Sequence, residues 1–193
     1  MFMRWLPSLE QVVIVAAAAV FFPLVHLFNR WAFEYVEFSH HISLIYLPAF
    51  LRLANVLVLG QAWGTLTTAL GGILLALWNH NVTWVEGMNV LASSTSGLLS
   101  VWLFQIIKER PVRLLEMKDL LQLVMLYALM NALLNHVAWT LVEQDALITV
   151  HQLPMMVIGD FLGAMLGALL FSWGAKKLKL DQLARKRAQA QDE

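Results

Sequence analysis

Residues 157–170 read VIGDFLGAMLGALL, a run apolar enough to lie in hydrocarbon, notched with glycine every fourth position, and carrying one carboxylate, Asp160. Gly159, Gly163 and Gly167 fall on one side of a helix, beside Asp160, Ala164 and Ala168, so one side is nearly smooth and invites close packing. A charged group in that setting costs about 2.5–3.5 kcal/mol on insertion scales and normally faces the bundle interior with a partner. The stretch therefore implies a membrane bundle whose interior holds at least one more polar group.

Composition agrees with that implication. Of 193 residues, 60% are apolar and only 13% charged, whereas soluble domains carry roughly 25% charged residues. Mean hydropathy is +0.67. Six stretches approach the ~20 apolar residues needed to span a bilayer, at about 9–29, 42–59, 62–79, 88–107, 119–141 and 153–174. The fold expected is an all-α integral membrane protein, a bundle of about six transmembrane helices with short loops. The membrane domain covers 1–175, followed by a basic cytoplasmic tail at 176–193. Segments with the short alternation of a membrane β-barrel are missing. The first apolar run is read as a span, since bulky polar and aromatic residues follow it instead of a signal-peptidase site.

The basic residues orient the bundle. Arg4, Lys108, Arg110, Arg113, Lys118, Lys176, Lys177, Lys179, Arg185, Lys186 and Arg187 all fall on one side, leaving Arg30 on the other and Arg52 within a span. The positive-inside rule puts both termini in the cytoplasm of a bacterial inner membrane. The tail KKLKLDQLARKRAQAQDE continues the last span as a basic helix suited to anionic lipid or to a cytoplasmic partner. A net charge of zero gives no reason to expect nucleic acid.

Polar residues gather in the outer halves of the spans. Arg52 and Asp160 lie within about one helical turn of the same depth and are each other's expected partner. Asn55 lies near Arg52, Asn131 and Asn135 stack on span five with His136 beside them, and span four opens with Asn89 and a Ser/Thr run at 93–96. Two uses of this cluster stay open. Arg52, Asn55, Asn89, Asn131, Asn135 and Asp160 can form a structural network, or they can line a pocket for a small ligand or a proton path. Pro48 and Pro154 start their helices on the outer side, which turns two positive helix ends toward that region and favours an anionic or carbonyl-bearing ligand. Gly60, Gly64, Gly159, Gly163 and Gly167 are the expected packing positions, with the second and third spans as neighbours of the sixth, a central helix.

Chemistry finds little footing. There is no cysteine, no nucleophile elbow, no HExxH and no phosphate-cradling loop, so neither an enzyme, a cofactor nor a metal site is expected. His40, His41, His80 and His151 are scattered through the outer loops without ligand spacing.

Three segments carry a resemblance. ISLIYLPAFLRLANVLVLGQAWGTLTTALGGILLAL, ERPVRLLEMKDLLQLVMLYALMNALLNHV and VIGDFLGAMLGALL, over about residues 40–175, resemble membrane-associated sensor (MASE) domains of bacterial signalling proteins. Pro48, Gly60, Gly159, Asp160 and Gly163 are the distinctive positions. This chain departs from that pattern in having six spans where the family has about eight, and in placing Arg52 after the proline where the family is apolar. The resemblance implies a shortened, stand-alone, non-catalytic sensory or scaffold module that passes a signal to a separate protein. Two other classes fit a six-span chain of this size, the substrate-binding membrane subunit of a vitamin-type transporter and a structural subunit of a larger membrane complex.

Overall fold

The computed structural model describes residues 9–39, 42–113, 116–142 and 152–189. Within them run six helices: α1 (Leu9–Ala32), α2 (Pro48–Leu59), α3 (Gln61–Trp78), α4 (Trp84–Lys108), α5 (Met117–Val142) and α6 (Gln152–Gln189). A 3₁₀ turn (Glu34–Val36) and a small antiparallel ladder of β1 (Glu37–Ser39) with β2 (Ile42–Ser43) separate α1 from α2. Four segments are long and apolar enough to cross a membrane: α1, α4, α5 and Gln152–Leu170 of α6. Their outward faces are clad in large apolar side chains such as Val13, Phe21, Trp102, Leu133 and Leu162. Apolar side chains outside, with the charged and amide groups turned inward, suit a hydrocarbon surrounding.

The helix in the middle is the shortest. α2 touches all five other helices, while α6 packs on α2, α5 and β2. The sequence pointed to α6 as the central helix and to a span starting near residue 42. Instead α2 begins at Pro48, where the missing N–H costs nothing in a first turn. Twelve residues at 1.5 Å each reach only ~18 Å, well short of a ~30 Å hydrocarbon core. Strand β2, a bend at 44–45 and a turn at Leu47 lead the chain into the helix.

The backbone of the non-helical segment 42–47 finds its partners within the protein. Leu44 N–H donates to the Val36 carbonyl (3.0 Å) and Tyr46 N–H to the Gly159 carbonyl (3.1 Å). Leu47 N–H donates to Asn29 Oδ1 (2.8 Å). Gly159 and Gly163 explain how the segment comes so close to α6. A Cβ on Gly159 would overlap the Ser43 carbonyl, and one on Gly163 would overlap the Tyr46 backbone. The glycines of α6 thus receive non-helical chain at these two positions and a helix at Gly167, against Phe50 of α2.

The remaining packing glycines serve the α2–α3 joint. Gly60 turns the chain at φ +84°, which an L side chain resists. Gly64 lies directly on the backbone of Asn55 and Val56. Between α2, α4, α5 and α6 a core of Ala49, Leu53, Val56, Val101, Phe104, Leu123, Val124, Tyr127 and Ala164 closes the bundle. At the basic end, Asp119 is buried in the first turn of α5. It accepts from both terminal nitrogens of Arg110 (2.5 and 2.8 Å) and from Arg113 N–H (3.1 Å), so the carboxylate ties down the connection between α4 and α5.

The close approach at α6 has a direct test. Gly163→Val forces a side chain into the Tyr46 backbone and should cost more than the ~1–3 kcal/mol of ordinary overpacking. Gly87→Ala, which meets nothing within 4 Å, should leave stability unchanged or slightly raised. Thermal unfolding in detergent reads both, and equal melting temperatures for the two variants would refute the packing described.

Candidate functional site

At the end of the bundle that carries the β1–β2 ladder, a cavity of about 850 Å³ descends between the helices, reached by residues of all six. Its rim includes Arg30, Glu34, Glu37 and Glu86, its walls Phe22, Tyr46, Val90 and Trp139, and its floor Arg52 and Asp160. This volume lies in the range of small-molecule sites, which run from ~300 to ~1,000 Å³.

The floor is a connected polar network. Asn131, completely buried near the middle of α5, donates through Nδ2 to Asp160 Oδ2 (2.6 Å). Its Oδ1 accepts from Arg52 Nη1 (3.5 Å) and Asn135 Nδ2 (3.1 Å). Asn135 Nδ2 also donates to the Asn131 carbonyl (2.8 Å) and reaches Ser93 Oγ (3.5 Å). Arg52 Nη2 donates to the Tyr46 hydroxyl (3.0 Å), which meets His26 Nδ1 (3.4 Å). The guanidinium also lies over two rings, 5.4 Å from the Phe22 centroid and 5.1 Å from that of Tyr46. Cation–π contacts with a desolvated cation contribute ~2 kcal/mol each.

Arg52 and Asp160 were expected to pair directly, and they do not. The salt bridges among the described residues all belong to the Arg110, Arg113, Glu116 and Asp119 cluster. Asn131 stands between the cation of α2 and the anion of α6, offering its oxygen to one and its nitrogen to the other. The other four site residues are distributed as follows. Asn135 joins the same network and lines the cavity, and Asn131 holds the floor from beneath. Asn89 is in the cavity wall, accepting from Trp139 Nε1 and donating to Glu86 (3.5 Å). Asn55 belongs to the α2–α3 contact, donating to Thr68 Oγ1 (3.4 Å). His136 stays apart, its Nδ1 on the Ala132 carbonyl (2.8 Å) and its ring against Trp139.

Two features escaped the sequence. Tyr46 lies in the loop before α2, so no helical spacing relates it to Arg52. Arg52 Nε and the nearby Tyr127 hydroxyl are both enclosed without an aligned hydrogen bond, and the two side chains interact with each other. The helix-start argument for an anion also fails at α2. Leu47 N–H is taken by Asn29, and Ala49 and Phe50 N–H donate to the Tyr46 and Leu47 carbonyls, so this first turn has no N–H to offer. His40, His41 and His151 lie outside the described residues. Among the described residues no group of three metal-ligating side chains converges.

Comparison with protein-family models, curated proteins and solved structures gives no match. The geometry of the site therefore carries the functional argument.

The bridging role of Asn131 is measurable. In a double-mutant cycle of Arg52→Leu and Asp160→Leu, the coupling should exceed ~0.5 kcal/mol when Asn131 is present and shrink when it is Ala. Thermal unfolding in detergent supplies the values. The same coupling in both backgrounds would mean that the two charges interact without the amide.

Proposed function

We propose that this chain is a membrane receptor module that binds a small ligand from one side and reports its occupancy to a partner protein on the other. The observation that supports this most is the cavity itself, whose floor is a buried Arg52–Asn131–Asp160 network rather than packed apolar side chains. A purely structural network is best served by filling the space around it, because an unfilled polar hollow keeps the desolvation cost and forfeits packing.

In this reading all six helices cross a bacterial inner membrane. α2 crosses together with segment 42–47, and α3 is sheltered enough by α1, α2 and α4 for its threonines to be tolerated. Thr67 and Thr68 are buried and return their hydroxyls to the Trp63 and Gly64 carbonyls (2.7 and 2.9 Å). The cavity faces the periplasm, and the basic connection at Lys108–Lys118 and the basic end of α6 face the cytoplasm. No catalytic step is assigned to the site. The sensory role agrees with the resemblance of residues 40–175 to membrane-associated sensor domains, and signal output falls to a separate cytoplasmic or membrane protein docked at the basic end.

The absence of cysteine makes the topology simple to test. Single cysteines at Glu34 and Asn81 should react with a membrane-impermeant maleimide in intact cells, and one at Arg113 only after permeabilisation. Labelling of Arg113 and Glu34 from the same side would rule out the arrangement. The binding role is tested by mild-detergent affinity purification with mass spectrometry of released small molecules. Wild type should release a compound that Asp160→Asn does not retain. A wild-type preparation without any such compound, with a protein partner held equally by both forms, would make the chain a scaffold.

A further inference from the structure

We infer that the cavity selects an organic cation, a protonated amine carried on an apolar or aromatic body, with the ammonium donating to Asp160. This deepens the binding role proposed above and rests on it.

The first observation is an acceptor left open. Asp160 is 2% exposed and lines the cavity floor. Its Oδ2 is occupied by Asn131, whereas its Oδ1 receives no hydrogen bond from the described residues. A carboxylate oxygen deep in a bundle and open only to a hollow calls for a donor that comes from outside, since a buried charge is tolerated when it is paired.

The second observation is that the neighbouring cation is already engaged. Arg52 donates to Tyr46 and Asn131, and the Phe22 and Tyr46 rings sit against its π surface. Its Nε is fully enclosed, out of a ligand's reach. A carboxylate or phosphate ligand would find no presented fork of donors, and the first turn of α2 offers it no N–H.

The third is the charge of the lining. Glu34, Glu37, Glu86 and Asp160 face the cavity against the two guanidiniums of Arg30 and Arg52. Low-dielectric walls focus such an imbalance toward the open end, which concentrates cations and repels anions. Ile42, Leu75, Val90 and Trp139 supply apolar surface between the acidic rim and the floor, where a hydrocarbon or aromatic body would lie while its ammonium reaches Asp160.

The test uses three probes with similar bodies and different heads on the full chain in nanodiscs, by calorimetry and thermal shift. Phenethylamine should bind at least about tenfold more tightly than 2-phenylethanol, as a charge-assisted hydrogen bond exceeds a neutral one. 3-Phenylpropanoate should be the weakest of the three. In Asp160→Asn the advantage of the amine over the alcohol should fall to within about threefold. Glu34→Gln combined with Glu37→Gln alters only exposed rim residues and does not endanger folding. It should weaken amine binding severalfold at low salt and much less at high salt. Preferential binding of the carboxylate, or an amine advantage that survives Asp160→Asn, overturns the cation assignment while leaving the cavity a binding site. An alcohol bound as tightly as the amine does the same. If no probe binds and the purified wild type releases no compound, the cation assignment and the receptor role fall together.

Discussion

A carboxamide carries a donor and an acceptor on one small planar group, and at Asn131 that property lets a cation and an anion share the middle of an apolar bundle. Direct contact between Arg52 and Asp160 would neutralise both and draw α2 against α6 at that level. With the amide between them, both charges are hydrogen-bonded, and the carboxylate is not fully consumed. Space remains for the cavity, and one carboxylate oxygen remains free to face it. The arrangement also ties α2, α5 and α6 into one unit, because the three side chains come from three different helices.

The same economy governs the backbone. α2 is only twelve residues long, and the non-helical segment 42–47 that leads into it needs polar partners for its backbone inside the protein. Asn29 of α1, Val36 of the 3₁₀ turn and Gly159 of α6 provide them. The glycines of α6 are required because the incoming chain lies on its backbone, and Tyr46 gains its position beside Arg52 from that same path. Site and fold are in this respect one problem. The loop that leads into α2 also delivers the aromatic ring and hydroxyl that hold the buried guanidinium.

Much of the helical layout was legible in the sequence, because apolar runs and glycine or proline punctuation mark helices with little ambiguity. α1, α3, α4 and α5 begin and end within a few residues of the expected limits. The β1–β2 ladder was not legible, since IleSerLeuIleTyrLeu is as apolar as a helix and carries no turn signal of its own. The grouping of Arg52, Asn131 and Asp160 could be read from depth along the helices. The order Arg52, then Asn131, then Asp160 could not, because depth says nothing about which face each helix turns to its neighbours. Tyr46 and the Arg110–Asp119 clamp were missed for a related reason. Both depend on where loops lead the chain, and one-dimensional spacing does not encode that.

α6 carries Asp160 near one end and runs unbroken to Gln189, with its last proline at Pro154 and its last glycine at Gly174. Twenty-nine residues of continuous helix from the carboxylate to the far end make a rod of roughly 43 Å. Near one end of that rod, Gly159 and Gly163 rest on the incoming loop. A tilt of about 5° there sweeps the far tip by roughly 4 Å, since displacement grows with rod length. An ångström-scale adjustment around that carboxylate would thereby be geared up to the size of a side chain at the opposite end of the helix.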